Sequence, residues 1–264
     1  MSSLLRVGRD GAVLRLVLDD DATRNSLSME LMTALQAALD SASEDRSVSV
    51  IVIASTGKVF SSGHNLKQLT AHRVDIDKGE RYFASVFANC TKLMLTIARH
   101  RCAVIAEVDG LASAAGCQLV ATCDLAYASP RASFCTPGVS IGLFCTTPMV
   151  ALSRNLSSKH AMEMLLTGDI VDAGFAERVG LVNGIVPQNE LSAHVATVAT
   201  RIASKSQAAI TYGKRAFQEQ HGMGLEEAYA FTTGVMTRNM LDGAACEGLD
   251  AFINKRSPTW PLIA

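Results

Sequence analysis

Apolar and polar positions alternate along LLRVGRDGAVLRLVLD, residues 4–19, and the alternation breaks at Arg9-Asp10-Gly11. That pattern predicts two strands joined by a hairpin turn, with Asp-Gly supplying the turn. Leu31, Leu35 and Leu39 then recur at helical spacing behind Ser28, a residue able to cap a helix. VSVIVIAS, residues 48–55, is a continuous β-branched run and predicts a strand buried on both faces, broken by Gly57. KVFSSGHNLKQL curves through small residues into a helical segment, and residues 79–100 read as a long helix. CAVIAEVDG, residues 102–110, predicts a second buried strand; LASAAGCQLVATC a short helix; and DLAYAS a further strand. The recurring order of strand, turn, helix and strand implies α/β layering with crossover connections.

The pattern changes after about residue 145. TTPMVALSRNL, SSKHAMEMLLTG, VDAGFAERVG, residues 188–205 and residues 206–257 are mostly helix-periodic, and Thr147-Pro148 suits a helix start. Only LVNGIV, residues 181–186, reads as a strand there. The expected organisation is a core over residues 1–200 followed by a helical region over 201–264, packed on that core or on a neighbouring subunit.

Composition narrows the chemistry. With 264 residues, 48% hydrophobic and 19% charged, the chain has ample material for a folded core. Lys plus Arg number 24 and Asp plus Glu 25, so bulk charge points neither to nucleic acid nor to a membrane surface. Seven cysteines, with no CxxC spacing, read as free thiols in a reducing compartment, and no metal site is expected. The N-terminus lacks the apolar run of a signal peptide, and no run approaches the roughly 20 residues of a membrane span. A cytoplasmic protein is expected; a mitochondrial one would need a transit peptide outside this sequence.

Two glycine-containing turns follow predicted strands: SSGHNLKQL, residues 61–69, and Ala114-Ala115-Gly116. Each exposes backbone N–H groups, and two such turns on neighbouring strands could aim two donors at one oxygen. Ordinary helix entry explains the same residues. A serine-peptidase reading of GLASAAG fails because no histidine, the usual general base, occurs between His100 and His160.

TRNSLSMELMTAL, FSSGHNLKQL, VDGLASAAGCQLVATCDLAYAS, TPGVSIGLF, LTGDIVDAGFAERVGLVNGIVP and EGLDAFINKRSP resemble, in order, the enoyl-CoA hydratase/isomerase (crotonase) superfamily over nearly the whole chain. Within it they are most similar to the enoyl-CoA hydratase domain-containing protein 3 group. The resemblance implies an α/β spiral of repeated β-β-α units with a helical C-terminal trimerisation region, assembling as a trimer or hexamer. It implies an acyl-CoA ligand, with coenzyme A as part of the thioester substrate and no tightly bound cofactor. Matched residue by residue, the two oxyanion donors fall on the backbone N–H of His64 and Ala115. The CoA-binding positions fall on Arg24, Ser62, His64, Asn65, Leu66, Lys67, Phe252 and Lys255, with Asn65 standing where the family usually has aspartate.

The departure lies in the acid–base groups. The resemblance aligns the family's two hydratase glutamates with Gln118 and Gly138, and a carboxylate used by some dienoyl isomerases with Thr146, which is expected here to contact the substrate. An amide cannot exchange a proton near neutral pH, and glycine has no side chain. The expectation is therefore either an acyl-CoA enzyme that stabilises a thioester enolate without the usual glutamate pair, or an acyl-CoA-binding protein without turnover. Gln118→Glu with Gly138→Glu is expected to restore hydration of crotonyl-CoA if the scaffold is intact.

Overall fold

The computed structural model describes residues 4–261. Strands β1 (Leu5–Asp10) and β2 (Val13–Leu18) pair antiparallel about the predicted turn, where Gly11 takes φ +55°. β2 pairs in parallel with β3 (Val50–Ser55), which follows helix α1 (Met29–Glu44). The Ser28 side chain accepts from Leu31 N at the start of α1, and Leu31, Leu35 and Leu39 are fully buried. Each such leucine contributes about 1.5–3 kcal/mol by leaving water.

The chain then repeats one unit. β3 leads to β4 (Val59–Ser61) and helices α2 (Leu66–Ala71) and α3 (Glu80–Arg99). β5 (Ala103–Val108) leads to β6 (Leu111–Ser113) and α4 (Ala115–Thr122). β7 (Leu125–Ala128) leads to β8 (Ser133–Cys135) and α5 (Thr146–Asn155). The first strand of each unit joins one sheet and the second strand joins another, which makes the spiral. With β9 (Val171–Asp172) and β10 (Gly184–Ile185), the sheet orders are β1-β2-β3-β5-β7-β10 and β4-β6-β8-β9. The remaining helices are α6 (Ser158–Thr167), α7 (Ala173–Val179), α8 (Leu191–Ala203), α9 (Gln207–Gln220), α10 (Leu225–Met240) and α11 (Gly243–Ile253).

β3 is buried on both faces as its β-branched run predicts. Val50 and Val52 pack with Ile105 against Val195, Val198 and Ala199 of α8, while Ile51 and Ile53 join the main core with Leu31 and Leu35. Residue 200 falls in the last turns of α8, so the helices beyond the core begin with α9. Lys214 of α9 ties that region down. Its Nζ pairs with Asp124 at 2.6 Å and donates to the carbonyls of Ile97 and Cys102, each at 3.0 Å.

The short strands β4, β6, β8 and β9 have no counterpart in the residue periodicity, because three residues cannot display a period. LVNGIV narrows to the two residues of β10, while Leu181 and Val182 turn into the main core. Among the described residues no helix is long and apolar enough to cross a membrane.

Candidate active site

The second sheet brings the two glycine-containing turns together. β4 and β6 lie side by side in parallel, so the turns leaving them, 62–65 and 114–116, are neighbours. Gly63 adopts φ +83°, a left-handed conformation that glycine tolerates. A Cβ on Gly63 would lie 2.9 Å from Ser113 O, 3.1 Å from Ala114 Cβ and 3.3 Å from Ala115 N. A Cβ on Gly116 would lie 2.5 Å from Ser61 O. Both turns are therefore packed backbone to backbone, and the amides of His64 and Ala115 flank one residue, Gly63. Neither N–H donates to a protein acceptor among the described residues. Ala115 opens α4, where the first-turn N–H groups have no intrahelical acceptor. Ala114 before it sits at φ +50°, ψ −114°, a strained conformation for alanine, held by its N–H to Cys135 O at 2.9 Å and its carbonyl to Gln118 N at 3.0 Å.

The side chains expected around these amides fall into three groups. Ser62 is fixed by its N–H to Arg24 O and its hydroxyl to Thr23 O, both at 3.1 Å. The Asn65 side chain caps α2, accepting from Lys67 N and Gln68 N at 3.1 Å each, which is the work an aspartate would do there. Arg24, Leu66 and Lys67 are exposed on the same rim, and Arg24 and Lys67 form no ion pair among the described residues. Phe252 and Lys255, at the end of α11, face solvent in the single chain and are not brought to this site.

The His64 ring packs edge-on against Phe87 of α3, with centroids 5.4 Å apart. Both ring nitrogens are buried without a hydrogen bond. Burial lowers the pKa of this imidazole below its ordinary 6.5, with the nearby Leu27 backbone opposing in part, so the ring is neutral at physiological pH.

Gln118 lies one turn into α4 and is 5% exposed; its Oε1 is buried with no partner. It lines a cavity of about 1180 Å³ between α3, α4, α5 and α9, together with Met94, Thr147, Val150 and Ala151. Thr146 is exposed at the start of α5, and the residue that reaches the cavity is Thr147. Gly138 is buried, and the volume a side chain would need is taken: a Cβ there would lie 2.7 Å from Leu143 O and 2.9 Å from Cys145 Sγ. A Gly138→Glu graft therefore meets fixed backbone, contrary to the expectation that both glutamates could be restored to an intact scaffold.

Three thiols gather here. Cys135 Sγ donates to Ser113 Oγ at 3.4 Å, and burial raises the pKa of Cys117, Cys135 and Cys145, so all three are protonated at neutral pH. Residues 61–67, 113–118, 135–138 and 143–147, which build the site, contain no Asp or Glu. The two turns thus carry two free amide donors and no carboxylate, with Arg24 and Lys67 on their rim, while the cavity that Gln118 lines is bordered further on by Asp124, Glu219, Arg99, Arg154 and Lys214. Residue patterns point to the turns but not to Phe87 or to the cavity, since neither has a local sequence signal.

Comparison with known proteins agrees with this architecture. The enoyl-CoA hydratase/isomerase family model matches residues 8–261. The Xenopus laevis protein named enoyl-CoA hydratase domain-containing protein 3, mitochondrial, is 42% identical over 96% of this chain and 84% of its own length. A crystal structure of an enoyl-CoA hydratase from Mycobacterium smegmatis superposes with a TM-score of 0.92 at 42% identity, covering 98% of this chain and 99% of that one. The crystal structure of human enoyl coenzyme A hydratase domain-containing protein 3 also gives 0.92, at 40% identity over 98% and 100% of the two chains. The chain belongs to the enoyl-CoA hydratase/isomerase family.

Proposed function

We propose that this protein binds an acyl-CoA thioester and polarises its carbonyl through the backbone N–H groups of His64 and Ala115, stabilising the enolate without the glutamate pair of two-carboxylate hydration. The observation that supports this reading is the close approach of the two turns at Gly63, where a Cβ would lie 3.3 Å from Ala115 N, which sets two unengaged amides on either side of one glycine. Each fixed donor of this kind stabilises developing negative charge by about 3–4 kcal/mol in comparable sites. Arg24, Ser62, Asn65, Leu66 and Lys67 form the rim on which the nucleotide and pantetheine parts of CoA would lie. The cavity beyond Gln118 would take the acyl chain. Phe252 and Lys255 would act on CoA only from another subunit. The exposed Met236, Met240, Leu249 and Phe252 on α10 and α11 support an assembled trimer or hexamer.

The expected cytoplasmic setting gains no support from the relatives, the Xenopus one being named as mitochondrial. Free thiols suit either compartment.

Calorimetry with butyryl-CoA, followed by turnover of crotonyl-, dienoyl-, β-keto- and malonyl-type thioesters, tests the proposal. Saturable binding is expected, with crotonyl-CoA hydration near background and turnover of at least one other thioester. Binding without turnover of any ester would identify an acyl-CoA-binding protein instead, and absence of binding would overturn the reading of the site.

A further inference from the structure

One wall of the cavity that Gln118 lines comes from the helical region beyond the core. Ile210, Gly213, Lys214, Phe217, Gln218 and His221 line it, and they recur at three- and four-residue intervals along one face of α9 and its C-cap. Gln118, Ala121 and Asp124 line it from α4 and the two residues beyond. α4 therefore joins two features. Ala115, whose amide is unengaged, opens the helix, and Asp124 follows its end.

α9 is held to the core chiefly by one lysine. The helix buries none of its residues outright. Lys214 Nζ pairs with Asp124 Oδ2 at 2.6 Å, the two side chains being 9% and 24% exposed, and donates to the carbonyls of Ile97 and Cys102 at 3.0 Å each. Asp124 is itself fixed, because the same oxygen accepts from Val104 N at 2.7 Å. Among the described residues, the other side-chain bond from α9 to the core is that of the Thr211 hydroxyl to Arg101 O, at 3.4 Å.

We propose that Lys214, through Asp124, is the positioning residue that holds α9 as the wall of an acyl-chain cavity and so sets the length of acyl group the protein selects. This inference rests on the acyl-CoA reading above and adds the chain length to it. The eight residues of α4 rise about 12 Å. An extended chain advances roughly 1.2 Å per bond, so a chain running along α4 from the Ala115 amide reaches the Lys214–Asp124 pair after about ten bonds.

Two further observations favour a chain in this place. Gly213 stands in the interior of α9, where glycine weakens a helix, yet a Cβ on it would meet nothing within 4 Å. No protein neighbour requires the glycine, and the space before it is open to a ligand. The lining residues Leu95, Val150 and Phe217 also remain 44%, 48% and 64% exposed, apolar surface that a chain would cover. The carboxylates that border the cavity do not oppose this, since Asp124 is paired with Lys214 and Glu219 with Arg215. A wall fixed before the ligand arrives lets each methylene leave water without the cost of ordering the helix.

The test measures binding of butyryl-, octanoyl-, decanoyl- and dodecanoyl-CoA to the full chain by calorimetry, with amide hydrogen exchange of residues 207–220 followed by mass spectrometry. Affinity should rise about 10-fold or more from butyryl- to decanoyl-CoA and then level off. Asp124→Asn combined with Lys214→Met removes both charges, so neither is left buried alone. In that double variant the α9 amides should exchange about 10-fold faster or more, and the ratio of decanoyl to butyryl affinity should fall about 10-fold. A purely structural role would weaken both esters alike and leave the ratio unchanged. Gly213→Leu leaves the ion pair intact and fills the open space, so it should lower the same ratio without faster exchange. Equal affinity for butyryl- and decanoyl-CoA in the unaltered protein, or an unchanged ratio in Gly213→Leu, would overturn the chain cavity and leave thioester binding standing. Faster exchange with an unchanged ratio in the double variant, or unchanged exchange, would overturn the role of Lys214. No binding of any CoA ester would overturn the acyl-CoA reading and this inference with it.

Discussion

Positions 118 and 138 are the two places where the family resemblance leads one to expect a glutamate, and the chain treats them differently. At 118 the change is one of charge alone: Gln118 keeps the length of a glutamate and stays buried on α4. At 138 the difference is one of space: a Cβ there would lie 2.7 Å from Leu143 O and 2.9 Å from Cys145 Sγ. An isosteric amide leaves room for a carboxyl in the same packing, whereas a glycine walled in by its neighbours leaves none. The first loss is electronic and the second is architectural, so the two should respond differently to mutation.

The largest expected effect is at 138. Gly138→Glu should destabilise the protein by about 1–3 kcal/mol through overpacking, read as a fall in the thermal midpoint, and should weaken butyryl-CoA binding. Adding Cys145→Ala removes the sulfur but leaves the Leu143 carbonyl. The double variant should therefore recover about 0.5 kcal/mol or more relative to additivity, as contacting residues do. A Gly138→Glu protein with an unchanged midpoint would mean that residues 139–145 yield freely, and the contrast between the two positions would collapse.

Gln118→Glu should fold, with a penalty that depends on pH. Burial without a cationic partner raises the pKa of the new carboxyl, so its folded-state pKa exceeds the unfolded one. The protonated form is tolerated, and stability is lost as pH rises through the folded-state value, by about 1.4 kcal/mol for each tenfold difference in proton affinity between the two states. Thermal melts at acid and neutral pH check the sign. Crotonyl-CoA hydration should remain near background in this single variant, because the partner position still lacks a carboxylate.

The smallest effect concerns His64. Its imidazole is neutral and its pKa is lowered by burial, so the unfolded chain binds the proton more tightly. That contribution to stability is whole above about pH 6.5, the unperturbed histidine value, and is lost as pH falls below it. His64→Leu should flatten this acid limb in thermal melts while keeping the backbone amide. Some slope should remain, because burial lowers His100 in the same direction.

Much of this molecule is legible in its residues. The caps Ser28 and Asn65, the doubly buried run of β3 and the helix of residues 80–99 all announce themselves by local chemistry. The second sheet does not, since VFS, LAS and SFC are too short to show alternation and are fixed by parallel pairing across the spiral. The pairing of the two turns at Gly63 is likewise a tertiary fact. The resemblance supplied it as an expectation, and the spacing of the residues alone left it open. Nothing local to Gly138 announces that the sulfur of Cys145, seven residues on, lies 2.9 Å from where its Cβ would be. The role of Lys214 has no local signal either, because its partners Asp124, Ile97 and Cys102 lie about 90 to 117 positions earlier.

The strained Ala114 has a consequence for how the site meets its ligand. A non-glycine residue at φ +50° costs about 1–3 kcal/mol, and that tension is held at rest by the bonds to Cys135 and Gln118. The amide that follows is therefore locked in direction before any ligand arrives. A dipole already aimed need not turn when charge builds beside it, so the work of reorganisation is done during folding and not at each encounter.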